Sequence, residues 1–279
     1  MQKYICCKGK LLSIEKPLIM GILNVTRDSF YDGGRYFNKE SYLKQAEKLL
    51  QEGADFIDVG CASTRPQAVE IPETEELRTA VQVVDDLLRH FPQALISVDT
   101  WRASVAGKCI EAGAAVINDI SGGDFDPAMF ETVARLQVPY ILTHTSGRPE
   151  VMQQHTGYAD VVREVYLYLD ERIRRLHLLN VKDVIADVGF GFGKTIGQNY
   201  ELLRNFHIFQ TLDCPLLCAL SRKSMLYKIT GGTPADALEA TVAAHVLALQ
   251  QGARFLRVHD VRAAKDAIAI YNATAGTRQ

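Results

Sequence analysis

Short apolar runs recur along the chain at intervals that suit alternating strands and helices: PLIMGIL, DFIDVG, ALISVD, AVIND, PYILTH, DVIADVG, PLLCAL and RFLRVH. Each is rich in Val, Ile, Leu or Phe with little apolar–polar alternation, the pattern of strands covered on both faces in a parallel sheet. Their separations fit a βαβ unit of roughly 30 residues. Amphipathic stretches lie between them. KESYLKQAEKLLQEGA places Leu43, Ala46, Leu49 and Leu50 on one helical face and stops at Gly53, a residue suited to the left-handed C′ position. ETEELRTAVQVVDDLLRHFP, RASVAGKCIEAGA, DPAMFETVARLQ, YADVVREVYLYLDERIRRLHLLN, PADALEATVAAHVLALQQGA and RAAKDAIAIYNAT read as further helices. EGADFIDVG, EAGAAVIND and QQGARFLRVH each run from a helix-ending glycine through alanine into a strand, a repeat of structure rather than of full sequence.

Eight such units, undivided by a Ser/Gly-rich linker or charge block, have the arithmetic of an α/β (β/α)8 TIM barrel. The expectation is a single domain over 1–279, with a core at about residues 17–274 behind a short N-terminal extension. A doubly wound open sheet uses the same units, but it announces a nucleotide site with GxGxxG, and GFGFGK after the sixth run is not that motif.

Composition narrows the function classes. With 47% hydrophobic and 23% charged residues and a net charge of -2, the 279-residue chain has no basic footprint for nucleic acid. The opening MQKYICCKGKLLSIEKPLIM lacks a long apolar signal segment, and no stretch reaches about 18 consecutive apolar residues, so neither secretion nor a membrane partner is expected and the cytoplasm is. Cys6, Cys7, Cys61, Cys109, Cys214 and Cys218 are scattered and read as free, mostly buried thiols. Cys214 and Cys218 bracket an apolar run near His207, without a second pair to complete a zinc site, and no structural zinc is expected.

In such a barrel, chemistry sits just past the C-terminal ends of the strands. Those positions hold Asn24, Asp58, Asp99, Asn118, Asp119, His144, Asp187, Ser221 to Ser224, Arg257 and His259. Any one strand-end Asp can simply hold a turn or cap a helix. Together, inward polar groups from many strands must find partners or cost roughly 1 to 3 kcal/mol each, and a polar ligand is a natural partner. Asp99, Asp187 and the Asn118 amide suit a heterocycle rich in N–H donors and ring acceptors, with Lys223 adding a cation. Arg257 and His259, two apart on one strand, share a face and suit an anion beside Asn24. SRKS opens a helix, a second place for a phosphate or a carboxylate, and the residues alone do not decide which anion goes where.

Taken in order, GILNVTRDSFYDGG, IDVGCASTRP, ISVDT, VINDI, DVGFGFGK, SRKSM and RVHDV strongly resemble the dihydropteroate synthase family over nearly the whole chain. The resemblance implies condensation of 6-hydroxymethyl-7,8-dihydropterin pyrophosphate with 4-aminobenzoate to 7,8-dihydropteroate and pyrophosphate, assisted by Mg2+, in a homodimer that sulfonamides target. By the same resemblance Asp99, Asn118, Asp187 and Lys223 hold the pterin, and Asn24, Arg257 and His259 hold the pyrophosphate, Asn24 as the metal ligand. Ser224 and Thr64 receive the aminobenzoate carboxylate, and Arg65, Pro66 and Phe30 shape its ring pocket. Catalysis is assigned to Asp99, Lys223, Arg257 and His259, through a dissociative mechanism that needs no protein nucleophile. NVTRDSFYDGGRYFN and CASTRPQAVEIPE read as mobile loops closing over the substrates, with Asp32 near the metal or the attacking amine.

The chain departs from the family's usual motifs at Arg27, Ala62, Gln67 and Val188, which bears on aminobenzoate affinity and sulfonamide sensitivity. His144 is expected to support a substrate-touching residue rather than to act itself. His90, His155, His177, His207 and His245 are assigned no chemistry. Two other readings share Asp99, Asn118 and Asp187. One is the folate-binding barrel of a methyltransferase, which has no need of SRKS and RVHD together; the other is a pterin-binding paralogue without catalysis.

Overall fold

Every apolar run forms a strand. The computed structural model describes residues 2–25, 31–32, 36–62 and 71–274, with the backbone alone at 31–32 and 36–37. Strands β3 (Leu18–Asn24), β6 (Phe56–Gly60), β7 (Leu95–Asp99), β8 (Val116–Asp119), β9 (Tyr140–Thr143), β10 (Val184–Asp187), β11 (Leu216–Cys218) and β12 (Ala253–Val258) close into one barrel in chain order. All eight pairings are parallel, including β12 with β3, where Phe255 stands beside Leu18 and Arg257 beside Met20. The expected (β/α)8 architecture is therefore present.

Helices α1 (Lys39–Glu52), α2 (Glu73–His90), α3 (Ala103–Glu111), α4 (Met129–Leu136), α5 (Val161–Leu178), α6 (Ile196–Arg204), α7 (Ser224–Thr230), α8 (Leu238–Gln250) and α9 (Val261–Thr274) surround it. Their ends follow local chemistry. The Asn38 side chain accepts from the Ser41 amide to start α1, and Gly53 at φ 101° ends it, with its N–H donating to the Leu49 and Leu50 carbonyls. On α1, Tyr42, Ala46 and Leu49 are buried, while Leu43 and Leu50 pack half-buried at the edge of that face. Helix α6 escapes the periodicity argument because its signal is a capping box, Thr195 with Gln198.

Two hairpins are also absent from the pattern of apolar runs. Antiparallel β1 (Tyr4–Cys7) and β2 (Lys10–Ser13) make up the N-terminal extension, and β4 (Tyr31–Asp32) pairs with β5 (Tyr36–Phe37) inside a segment expected to be a plain loop. The first hairpin has a packing role: Ile5, Cys7 and Ile14 join Leu18, Met20, Phe56, Val116, Ile141, Ile185, Leu217 and Phe255 in one cluster that fills the N-terminal end of the barrel. The Cys6 amide ties it down by donating to Asp183 Oδ2 at 2.9 Å, just before β10. A second, larger cluster lies between the outer face of the strands and the helices. The six cysteines are free, and five are buried.

Candidate active site

Because a strand's side chains alternate between faces, the inward parity set by the lower cluster also names the inward residues above it. Phe255 leads to Arg257 and His259, Phe56 to Asp58, Leu95 to Ser97 and Asp99, Val116 to Asn118, Ile141 to Thr143, Ile185 to Asp187, and Met20 to Ile22 and Asn24. The barrel interior is thus apolar at its N-terminal end and polar at its C-terminal end.

The polar storey is organised around Arg257. Its Nε donates to Asp58 Oδ2 at 2.6 Å and its Nη2 to Asp99 Oδ2 at 2.6 Å, while Asn118 Nδ2 donates to the same Asp58 oxygen at 3.0 Å. Burial works against the guanidinium charge, and Asp58 and Asp99 more than offset it, so Arg257 is held protonated. Burial pushes the Asp99 carboxyl up; Arg257 pulls it back, and the neighbouring carboxylates Asp58, Glu76 and Asp119 push it further up. Asp58 Oδ1, Ser97 Oγ and Thr143 Oγ1 are buried without a hydrogen-bond partner among the described residues. All three occupy inward positions, where a bound polar molecule or water would satisfy them. Asp119, of opposite parity, instead holds its turn by accepting from the Ser121 and Gly123 amides and from Tyr140 Oη.

Asp187 ends β10, and its Oδ1 accepts from the Gly189 amide at 2.8 Å. That turn must be glycine: φ at Gly189 is +68°, and a Cβ there would stand 1.9 Å from the His144 carbonyl oxygen. Lys223 faces the same turn, its Nζ donating to the Phe190 carbonyl and standing 4.6 Å from the Phe192 ring centroid. Burial lowers the Lys223 pKa to about 8, with Asp187 acting against that fall and Arg257 adding to it.

Above these groups opens a cleft of about 850 Å3 lined by Asn24, Phe190, Phe192, Lys223, Ser224, Arg257 and His259, among others. Asp99, Asn118 and Asp187 are buried and do not line it. His259 Nδ1 is 3.1 Å from Ser221 Oγ. Burial, then Arg257, lowers the His259 pKa to about 4, so near neutrality it is a neutral hydrogen-bonding group rather than a cation. Arg222, at φ 55°, turns the chain into α7 and pairs with Asp260 through Nε and Nη2 at 2.7 and 2.9 Å, tying the start of α7 to the end of β12. Ser224 is the first residue of α7, half-buried and facing the cleft.

The structure therefore brings together Asn24, Asp99, Asn118, Asp187, Lys223, Ser224, Arg257 and His259 at one end of the barrel. Phe30, Thr64, Arg65 and Pro66 lie outside the described residues, as do Arg27 and Gln67; Asp32 is described only as backbone in β4. Val188 is fully buried in the outer cluster, and Ala62 is half-buried. His144 does not line the cleft, and its Nδ1 is 2.9 Å from Lys194 Nζ. Two residues were left without a role by sequence reasoning. Asp58 is the acceptor shared by Arg257 and Asn118, and its signal was an acid at inward parity inside an apolar strand. Lys194 is a buried lysine whose signal was its place directly after a glycine-rich turn.

A model of the pterin binding enzyme family matches residues 20–259. The dihydropteroate synthase of Haemophilus influenzae is 40% identical over 269 residues, 96% of this chain and 97% of that protein. Among solved structures, the Xanthomonas albilineans dihydropteroate synthase with 4-aminobenzoic acid superposes with a TM-score of 0.91 at 37% identity, covering 100% of both chains. The Yersinia pestis dihydropteroate synthase in a sulfonamide drug complex gives a TM-score of 0.91 at 37% identity, over 98% of this chain and 99% of that one.

Proposed function

The chain belongs to the dihydropteroate synthase family of pterin-binding enzymes, transferases of folate synthesis, and from that premise we propose how its own residues divide the reaction. The substrates are 6-hydroxymethyl-7,8-dihydropterin pyrophosphate and 4-aminobenzoate, and the products 7,8-dihydropteroate and pyrophosphate. The observation that carries this reading is the polar storey itself: three acids, an amide, an arginine and a lysine from six strands or strand ends converge over a sealed apolar floor.

Asp187 accepts from the pterin's amino group and N3–H, two bonds from one carboxylate that fix the ring plane, while Asn118 and Lys223 take its other edges. Asp99 favours positive charge on the ring. In the dissociative course, the C–O bond of the methylene ester breaks and its electron pair leaves with the diphosphate. The dihydropterin stabilises the methylene cation; the aniline nitrogen then forms the C–N bond and loses a proton. Arg257, with Nε and Nη2 committed to carboxylates, offers its remaining edge to the leaving diphosphate, and neutral His259 offers a hydrogen bond. Positioning and charge stabilisation supply the rate enhancement.

The donor set at Asn24 suits Mg2+. A Cβ built on Gly60 would lie 3.2 Å from Asn24 Oδ1, so this hard oxygen donor stands over the end of β6, at the edge of the cleft that Asn24 lines. No group of three or more His, Cys, Asp or Glu side chains forms a metal cage among the described residues. Holding by one or two protein oxygens jointly with substrate phosphates is the mode that fits. Bound at Asn24, the ion supplies neutralisation of charge on the leaving group.

Ser224, Thr64, Arg65, Pro66 and Phe30 complete the proposal as the aminobenzoate site, which sulfonamides would share. A cytoplasmic homodimer belongs to it as well, to be checked by sedimentation velocity; no helix among the described residues is long and apolar enough to cross a membrane. The deciding experiment mixes purified protein with both substrates and Mg2+ and follows pyrophosphate. Release dependent on 4-aminobenzoate is expected. Pterin binding without release above background would instead support the non-catalytic reading.

A further inference from the structure

Lys194 closes the glycine-rich turn after β10, is 4% exposed, and does not line the cleft. Its Nζ stands 2.8 Å from the Gly189 carbonyl, 2.9 Å from the Phe192 carbonyl and 2.9 Å from His144 Nδ1. Three acceptors around one nitrogen match the three N–H donors of an ammonium. Burial first, and the neighbouring lysine second, hold His144 well below the usual imidazole range, so its ring is neutral and Nδ1 serves as the third acceptor. Burial first, with the Lys223 charge adding to it, holds the Lys194 pKa well below the ordinary lysine range, and the Asp187 carboxylate opposes that fall; the three surrounding acceptors are what select the ammonium form. Among the described residues no carboxylate is hydrogen-bonded to Lys194, and a buried cation needs compensation. Asp187 is the anion that provides it. The same peptides complete the link, since Gly189 offers its carbonyl to Lys194 and its N–H to Asp187 Oδ1.

We propose that Lys194 is a positioning residue for substrate recognition: its buried ammonium clamps the turn that aims the Asp187 carboxylate and supplies positive charge that lets this carboxylate accept two N–H bonds from the pterin ring. The proposal rests on the pterin reading of Asp187. Lys194 touches no substrate; it acts through Asp187.

Other groups face Asp187. Lys223 reaches it from the start of α7, Arg257 from β12 and Cys218 from β11, and the His144 amide donates to its backbone carbonyl from the end of β9. Burial pushes the Asp187 carboxyl up; Lys223, the Gly189 amide, Lys194 and Arg257 hold it back. Only the ionised form accepts two N–H donors, so pterin affinity is present above the Asp187 pKa and lost as pH falls through it. Taking away the Lys194 charge moves that loss to higher pH.

The test uses the full chain and 6-hydroxymethyl-7,8-dihydropterin, which carries no leaving group, and measures Kd against pH for wild type, Lys194→Met and Lys194→Gln. Lys194→Met is expected to weaken Kd about 10- to 100-fold at neutral pH and to move the acid limb up by about one pH unit. KM for 4-aminobenzoate should stay within about twofold, since uniform binding to the other substrate is untouched. An equal Kd in wild type and variants overturns the proposal, and a weakening by the same factor at every pH overturns its electrostatic half. If Lys194→Met does not fold, Lys194→Gln carries the comparison in a cycle with Asp187→Asn. The Lys194→Gln penalty should shrink to under about twofold once Asp187 is neutral, and additive penalties overturn the link. Wild-type protein that binds no pterin would sink the pterin reading itself, a different failure from variants that bind as well as wild type.

Discussion

Phe255 and Arg257 sit two residues apart on β12, both facing into the barrel, about 6.6 Å along the strand from each other. One belongs to a dry floor, where its ring lies 6.2 Å from that of Phe56 over the N-terminal hairpin. The other belongs to a storey of charge in which a guanidinium holds two carboxylates. Backbone geometry is the same at both levels. What separates a packing position from a chemical one is only whether the inward side chains above it find apolar neighbours or must be satisfied by each other and by a ligand. The hairpin explains why the floor can be dry: it seals the end where the barrel would otherwise meet water.

Truncating either residue should be costly, for different reasons that experiment can tell apart. Arg257→Ala leaves Asp58 and Asp99 buried without their cation, and removing one partner of a buried pair costs about 3–5 kcal/mol. It should also lower kcat/KM for the pyrophosphate ester more than it weakens binding of the pterin alone. Without Arg257 the Asp99 carboxyl rises further, so the folded variant takes up a proton that the unfolded chain, at its ordinary carboxylate pKa, does not. Its stability is therefore greater at mildly acidic pH and declines as pH rises through the raised pKa, the window urea titrations should scan. A pH-independent loss would contradict the ion-pair origin. Phe255→Ala removes a ring from the floor and should cost about 3–5 kcal/mol at every pH. Substrate KM should be near wild type wherever it remains folded, and an altered KM would mean that floor and site are not separable.

Lys223 sharpens the comparison within the polar storey. Lys223→Ala should lower kcat/KM about 100- to 1,000-fold, the scale of losing a charge-stabilising group. Thermal stability should change little, because the lost cation was buried at a desolvation cost. With its pKa lowered to about 8, the wild-type rate should fall as pH rises through that value and the ammonium loses its proton. Lys223→Arg, always protonated, should show no such limb in a pH–rate profile whatever its absolute rate.

The same two-level picture explains what was legible in the residues. All eight strands announced themselves because each is buried on both faces, and the strand-end acids stood out against apolar runs. The shared role of Asp58 was harder to see. An acid one storey below the strand end is visible in IDVG, but that Arg257 and Asn118 both reach it depends on the register between β12, β3, β6, β7 and β8, which only the closed barrel sets. Lys194 was hidden for a related reason, since its acceptors are backbone carbonyls and a histidine 50 residues earlier. The β1–β2 hairpin has too few apolar residues to form a periodic signal, although Ile5, Cys7 and Ile14 all pack into the floor.

Helix α6 was missed because its start is written in hydrogen bonds rather than in periodicity, and this makes it the mildest place to test the outer ring against the inner storey. Thr195 accepts from the Gln198 amide at 3.2 Å, and Gln198 Oε1 accepts from the Thr195 amide at 2.8 Å. Thr195→Ala removes one half of that exchange and should cost about 1 kcal/mol. Thr195 directly follows Lys194, yet its capping contacts run outward along α6 and do not reach Asp187. Pterin Kd and its pH profile should therefore be unchanged while the urea midpoint falls. A shift of the acid limb in this variant would mean that the Gly189–Lys194 turn transmits strain from the helix cap into the site, and that the division between outer scaffold and inner chemistry fails at β10.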